Sequence, residues 1–396
     1  MKVAVTTLSF CVAALLALGL VMVYSASLGL FNAHTHAEVG AHLLKMQLVW
    51  CALGLVACVI ATIVDYAILK KLALPIFICA LFLAAMVFLP NLGQKIYGMR
   101  LNGANRWIHI PGVGSVQPSE LVKIALIIVL AWYCDRSQRK MDTFKRGIIF
   151  PGMIIAAALG IIFVEPDRGT TILLATVSGM MLLVSGVQLK HLFILAFFGA
   201  AALAISISHD PMRMNRIAAW RHPQEHLNGA ALQAQQSMIA FGAGGVTGRG
   251  LGNGLQKLGY VPEIQSDSIF ANIGEELGLI ATLFVVIAFL LIAVCGIFIA
   301  LRSRDNFGCL LAAGVTFLIS LQAAINIGVV TSVLPNKGLA LPFISSGGSS
   351  LLAMLMGIGI LLSVARHAPV RENSEREKKS KPEIDAGENP FASRAT

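Results

Sequence analysis

The sequence predicts an all-α polytopic membrane protein with about ten transmembrane helices, and three observations carry that prediction. Apolar residues make up 57% of its 396 residues and charged residues only 13%, far from a soluble globular composition. Mean hydropathy is +0.78. The apolar residues also gather into runs close to the roughly 20 residues that a helix needs to cross a bilayer.

The first run, Val3–Val23, follows a single lysine. Small residues Ser25-Ala26-Ser27 sit behind it, but the run is long for a signal-peptide core and many spans follow, so it reads as an uncleaved first span. The others are Leu48–Val64, Leu72–Leu89, Leu121–Cys134, Ile148–Val164, Thr170–Val187, Leu192–Ile207, Ile269–Leu301, Phe307–Val333 and Leu341–Ala365. Junctions after even-numbered spans are basic: Lys70 and Lys71, then Arg136, Arg139, Lys140, Lys145 and Arg146, then Lys190 and His191, then Arg302 and Arg304, then Arg366 and Arg371. Basic short loops stay cytoplasmic, which puts both termini in the cytoplasm. Two outward junctions are long. Pro90–Pro118 holds the turn-rich string GMRLNGANRWIHIPGVG, and Ser208–Ser268 forms a large extracytoplasmic loop between helices 7 and 8. Loops of that length in compact proteins are usually functional. Residues 1–370 form one membrane domain; residues 371–396, polar and charged with Pro382 and Pro390, read as a disordered cytoplasmic tail.

The formal charge of +10 does not point to nucleic acid, because no basic helix or interleaved aromatic patch accompanies it. Seven cysteines are scattered, without a C-x-x-C, and read as small apolar core residues. His34, His36 and His42 share the first outer junction, where a solvated loop is the simpler reading than a metal site needing further ligands in fixed geometry.

Polar residues beside the spans are the functional candidates, since a carboxylate at a helix centre costs about 2.5–3.5 kcal/mol on insertion scales. The segment KLGYVPEIQSDSIFANIGEE, Lys257 to Glu276, sets Glu263, Asp267, Glu275 and Glu276 against the eighth span. Asp267 directly precedes the helical run; it is either an N-cap or a general base in a partly dry cavity. Glu120 and Lys123 are three apart on one helical face, as a neutralising pair or as part of a substrate cavity. Glu165-Pro166-Asp167-Arg168 breaks the chain after span five, with Asp167 and Arg168 capping the turn or lining a polar mouth. The glycines of FGAGGVTGRGLGNG match no nucleotide motif; they make a close-packed loop or present backbone N–H groups to an anion beside Arg249. Lys337, in LPNKGLALPFISSGGSS, is an outward lysine or a point charge for a phosphate.

Five strings in order carry a family resemblance over nearly the whole membrane part: NGANRWI (Asn102–Ile108), QPSELVK (Gln117–Lys123), EPDRGTT (Glu165–Thr171), the run from Gln233 to Gly278, and LPNKGLALPFISSGGSS (Leu334–Ser350). The chain resembles the SEDS proteins (shape, elongation, division and sporulation), polytopic glycosyltransferases of bacterial cell-wall synthesis. Lys337 in the P-N-K-G-L turn resembles the division and sporulation members more than the elongation members. Three strings depart from the family pattern. Ser266-Asp267-Ser268-Ile269-Phe270-Ala271 stands for T-D-F-I-F-A, Ser346-Gly347-Gly348-Ser349-Ser350 lacks a tyrosine, and Ala231-Leu232-Gln233-Ala234-Gln235-Gln236-Ser237 replaces G-Y-Q-x-x-Q-S.

The resemblance implies the SEDS fold and an inverting peptidoglycan polymerase that uses lipid II and releases undecaprenyl pyrophosphate. Its essential acid falls on Asp267, which would accept the proton of the attacking 4-hydroxyl. Arg106, Lys123, Arg216 and Lys337 are candidates for the developing pyrophosphate charge, with Mg²⁺ or Mn²⁺ as a further source of positive charge. Glu165, Asp167, Gln236 and Ser237 fall in the matching strings and are candidate substrate contacts. The implied partners are a class B penicillin-binding protein of the FtsI type and other division proteins, at the septum in the bacterial inner membrane. A lipid II flippase and a non-enzymatic division scaffold are the competing readings.

Overall fold

The computed structural model describes residues 1–27, 36–88, 97–101, 104–110, 114–222, 225, 231–258 and 265–369. Ten long helices fall on the ten apolar runs: α1 (Lys2–Ser27), α2 (His36–Ile63), α3 (Tyr66–Ala85), α4 (Pro118–Ser137), α5 (Phe150–Val164), α6 (Arg168–Val184), α7 (Leu189–Ser208), α10 (Ile269–Leu301), α11 (Asn306–Val330) and α12 (Gly348–Arg366). Two shorter helices, α8 (Pro211–Arg221) and α9 (Leu232–Gly244), occupy the large loop. Among the described residues, eight helices are long and apolar enough to cross a membrane; α6 is shorter, and α4 carries Glu120, Lys123, Asp135 and Arg136. The protein is a multi-pass, essentially all-helical membrane protein.

Helix limits follow local chemistry. Asp65 caps α3 and Asp305 caps α11, each accepting a backbone N–H, which satisfies donors that a helix start leaves open. Pro118 opens α4 at a position where its missing N–H costs nothing. Helix α5 ends at Val164, before Pro166, as the proline requires. Helix α2 begins well before the expected Leu48. Helix α12 begins at Gly348 rather than Leu341, because residues 341–347 form turns.

The centre is built from α4, α11 and α12, whose sides are buried almost all round. Small residues bring the helices close, as expected where lipid removes the hydrophobic drive for helix pairing. A Cβ at Gly359 of α12 would lie 2.4 Å from the Cys58 carbonyl oxygen of α2, and one at Gly296 of α10 would lie 2.2 Å from Thr316 Oγ1 of α11. Helix α7 buries none of its residues and stands at the edge of the bundle.

The stretch before α4 corrects the expectation of a turn-rich connection. It forms a three-stranded antiparallel sheet, β1 (Tyr97–Leu101), β2 (Ala104–Ile110) and β3 (Gly114–Val116), in the order β1-β2-β3 with a register shift at Met99/Arg100. The sheet stands at the end of α4 that also faces Asp167 and Ser349. Glu263, His34 and the tail 371–396 lie outside the described residues, as do the side chains of His36 and His42.

Candidate functional site

The segment between α11 and α12 runs through the middle of the site, and two amides of α11 hold it. Gln322 and Asn326 are four apart on one helical face. Gln322 Nε2 donates to the Ala340 carbonyl at 2.9 Å, and Asn326 Nδ2 to the Leu339 carbonyl at 2.6 Å. Asn326 Nδ2 also donates to the backbone carbonyl of Asp267 at 2.9 Å. The turn bearing Asp267 is fixed on its other side as well: Ser346 N donates to the Gln265 carbonyl at 2.9 Å, and Ser345 Oγ to the Ser266 carbonyl at 2.5 Å. From α9, Gln233 Nε2 donates to Ser268 Oγ at 2.8 Å while its amide oxygen accepts from Asn336 Nδ2 at 2.7 Å. Helix α9, helix α11 and the segment that follows α11 thus surround the turn bearing Asp267.

Asp267 is half-buried. The cap position of α10 falls on Ser268, the residue after Asp267, and Ser268 makes no side-chain capping bond. Its carboxylate lies against Gly338, where a Cβ would stand 2.5 Å from Oδ2. Lys337, next to that glycine, is half-buried and forms no ion pair among the described residues. Burial lowers the pKa of its ammonium, because desolvation penalises the charged form.

The turn between α5 and α6 meets the same segment: a Cβ at Gly169 would lie 3.2 Å from Leu339 Cγ. Asp167 caps α6, accepting from Thr170 N at 3.1 Å and Thr170 Oγ1 at 2.9 Å, so the capping reading holds for it. Arg106 on β2 donates from Nε to the Glu165 carbonyl at 2.9 Å and from Nη2 to the Pro166 carbonyl at 2.6 Å. These two bonds pin the turn and leave the other three guanidinium N–H groups uncommitted among the described contacts. Glu165 is fully buried, and neither carboxylate oxygen finds a hydrogen-bond partner. Burial first, and the Asp167 charge second, push its pKa up to about 8.

Lys123 lies 2.7 Å from Glu120 and donates to Gln322 Oε1 at 3.0 Å, almost wholly buried. It is a neutralised pair that also steadies Gln322. Ser237 is buried and donates back to the Gln233 carbonyl at 2.8 Å; Gln236, one residue before it on α9, is half-buried. Arg216 is exposed on α8, and no described contact brings it to Asp267. Among the described residues no three His, Cys, Asp or Glu side chains converge as a metal cage. A Mg²⁺ or Mn²⁺ ion would have to be held by one or two carboxylates together with substrate phosphates, a mode common for Mg²⁺.

The glycine loop is a close-packed clamp, and its N–H groups do face anions, but these are the chain's own. Gly252 N donates to Glu276 Oε2 at 2.9 Å and Leu255 N to Glu275 Oε1 at 2.8 Å. Lys257 Nζ reaches Glu276 at 2.8 Å, and Ser25 Oγ of α1 donates to the same carboxylate at 2.6 Å. Glu275 and Glu276 are therefore supporting acids. Helix α10 breaks just beyond them at Gly278, with φ 76°, a conformation glycine adopts without penalty.

A family profile described as "Cell cycle protein", covering FtsW, RodA and SpoVE, matches residues 6–369. The chain belongs to this family. It is the SEDS family that the sequence strings resemble. The chain is 38% identical over 354 residues to a probable peptidoglycan glycosyltransferase FtsW of Trichlorobacter lovleyi, covering 89% of this chain and 91% of the relative. It is 36% identical to stage V sporulation protein E of Bacillus subtilis, covering 89% and 94%. Among solved structures, a chain from work titled "Structural coordination of polymerization and crosslinking by a peptidoglycan synthase complex" superposes with a TM-score of 0.72 at 25% identity, covering 91% of this chain and 96% of that one. Thermus thermophilus RodA superposes at 0.65 and 24% identity, covering 92% and 97%, which shows the fold. The likeness to division and sporulation members read from Lys337 agrees with the FtsW and stage V sporulation names of the two sequence relatives.

In this SEDS chain the structure adds four residues that sequence reasoning passed over: Gln233, Gln322, Asn326 and Asn336. An available signal was the pair of amides four apart inside an apolar span, where polar side chains are costly and face the bundle interior. The bundle also carries an apolar cavity of about 540 Å³ between α2, α3, α4 and α12, lined by Leu72, Ile76, Leu83, Leu121, Ile128 and Met356 among others.

Proposed function

We propose that this chain is a peptidoglycan glycosyltransferase that polymerises lipid II at the division septum, with Asp267 as general base. The observation that supports it best is the Asp267–Gly338 contact. It sets a half-buried carboxylate beside a turn whose lysine is half-buried and without an acid partner among the described residues. A carboxylate to take a proton and a cation to meet an anionic leaving group are the two charges this reaction needs.

In the proposed step the acceptor GlcNAc 4-hydroxyl attacks the anomeric carbon of the donor MurNAc. Asp267 accepts the hydroxyl proton as the new C–O bond forms. The bond to the pyrophosphate breaks, undecaprenyl pyrophosphate leaves with the electron pair, and the α-linked donor becomes a β-1,4 glycan. Lys337 is the favoured cation for the leaving group. Arg106 is held in place by two backbone carbonyls, Lys123 is neutralised by Glu120, and Arg216 lies on an exposed helix. The apolar cavity between α2, α3, α4 and α12 has the chemistry to take part of a polyprenyl tail.

The reading includes ten membrane crossings with both termini cytoplasmic and Asp267 on the outer side, which matches the basic junctions. It also includes a class B penicillin-binding protein as partner, an expectation supported by the fold shared with a chain of a peptidoglycan synthase complex that coordinates polymerization and crosslinking. The test is polymerisation of purified lipid II in detergent, with and without that partner. Glycan strands are the expected product. A protein that moves lipid II between vesicle leaflets but makes no glycan in either condition is a flippase, and the proposal is then wrong.

A further inference from the structure

The carboxylate of Asp267 and the ammonium of Lys337 belong to separate turns, and one side chain binds a neighbour of each. Gln233 lies in the first turn of α9. Its Nε2 donates at 2.8 Å to Oγ of Ser268, the residue after Asp267. Its Oε1 accepts at 2.7 Å from Nδ2 of Asn336, the residue before Lys337. Both ends of the amide are therefore used. Ser268 stands at the cap position of α10 yet forms no capping bond, although a serine there ordinarily accepts a backbone N–H of its own helix. Its hydroxyl accepts from Gln233 instead. Among the described residues, the bond to Gln233 is the one hydrogen bond that Asn336, Lys337 and Gly338 make. Asn326 ties the same two turns through the carbonyls of Asp267 and Leu339, but Leu339 lies two residues beyond the lysine.

Helix α9 gives Gln233 a fixed place. A Cβ at Gly244 of α9 would overlap the Gly274 carbonyl of α10, and one at Gly274 would overlap the Phe241 ring of α9. Phe241 and Phe270 meet edge to face, with ring centres 5.7 Å apart. The two helices thus touch at their backbones and have no slack between them. Side chains locked in this way can hold a reacting group within the narrow limits that catalysis requires.

We propose that Gln233 is a positioning residue that sets the spacing between the Asp267 carboxylate and the Lys337 ammonium. It acts through Ser268 and Asn336. In the displacement the base stands on the attacking side of the anomeric carbon and the cation on the leaving side. Their separation must fit a transition state in which one bond is partly made and the other partly broken. A misplacement of about 1 Å costs about 10²-fold in rate. The inference rests on the polymerase reading of this site.

The test pairs kinetics with hydrogen exchange on the full chain and its penicillin-binding partner. Gln233→Met keeps the length of the side chain and removes both bonds. Gln233→Asn keeps the amide but is too short to reach both partners, and it supplies the measurement if Gln233→Met does not fold. The expected kcat for lipid II polymerisation is about 10- to 100-fold below wild type, with KM within about twofold. Unfolding in SDS should be unchanged, and backbone amides in peptides spanning 265–270 and 335–340 should exchange faster. Wild-type kcat overturns the proposal. So does a loss confined to KM, which marks Gln233 as a substrate contact, and so does a loss of kcat with exchange unchanged in both peptides. A wild type that makes no glycan defeats the polymerase reading; exchange then still decides whether Gln233 holds the two turns, and unchanged exchange overturns that as well.

Discussion

Replacing Lys257 with methionine strands a carboxylate inside the protein. Glu276 is fully buried, Lys257 is 4% exposed, and their charged atoms are 2.8 Å apart. Removing one partner of a buried pair costs about 3–5 kcal/mol, because the remaining charge stays desolvated. Here Ser25 Oγ at 2.6 Å and Gly252 N at 2.9 Å still serve the carboxylate, which places the expected loss near the lower end, about 3 kcal/mol. Glu276→Gln should cost a similar amount, since the ammonium then keeps only Ser25 Oγ and the Gly252 carbonyl. The double variant leaves neither member of this pair charged. It should be more stable than the sum of the single losses implies, by roughly 2 kcal/mol, within the range found for residues in contact. Equilibrium unfolding by SDS in mixed micelles, read by tryptophan fluorescence, measures all three. Additive losses would refute the idea that this pair, rather than loop packing alone, fastens α1 and the glycine loop to α10.

Three further outcomes follow from the same geometry. Gly338→Ala places a methyl 2.5 Å from Asp267 Oδ2 and should lower polymerisation by about tenfold or more, equivalent to ~1.4 kcal/mol at the transition state, with unfolding unchanged; wild-type turnover would show that the carboxylate need not hold that position. Glu165 has its pKa raised from 4.5 to about 8, so its contribution to stability is complete below pH 4.5 and is lost as pH rises through about 8; Glu165→Gln should flatten the pH dependence of thermal stability in that window, and an unchanged profile counts against the burial argument. Gly278→Ala forces a side chain into a φ of 76° and to within 2.4 Å of Gly248 N; a loss of at least ~1–3 kcal/mol is expected from such strain, and a neutral result in the SDS assay would mean that the break in α10 can move.

Much of the bundle was legible because the bilayer demands a simple signal. Long apolar runs mark spans, and the ten runs all became helices. Their ends were less legible: residues 341–347 extend the apolar run, but their backbone forms turns in which Leu341 N donates to Ser345 Oγ and Ser346 N to the Gln265 carbonyl. The sheet was missed although Asn102-Gly103 is a strong hairpin signal, because Arg-Trp-Ile-His-Ile beside it is short and mixes charge with apolar residues. Asp267 stood out by its cost next to a span and by the strings that surround it. Glu120 and Lys123 stood out for the same reason, yet the structure spends their charge on each other. Gln322 and Asn326 left a weaker signal than the charged residues, since an uncharged Gln or Asn in an apolar run shifts hydropathy little. Its partners are backbone carbonyls, which have no sequence signature.

The most direct test is a side-by-side polymerisation assay of wild type and Asp267→Asn with purified lipid II and the penicillin-binding partner. Asparagine keeps the size of the side chain and leaves the backbone carbonyl that Asn326 holds, so folding and lipid II binding should survive. With no carboxylate to accept the 4-hydroxyl proton, glycan synthesis should fall to the background of the assay. Strand formation at the wild-type rate by the asparagine variant would contradict Asp267 as the general base.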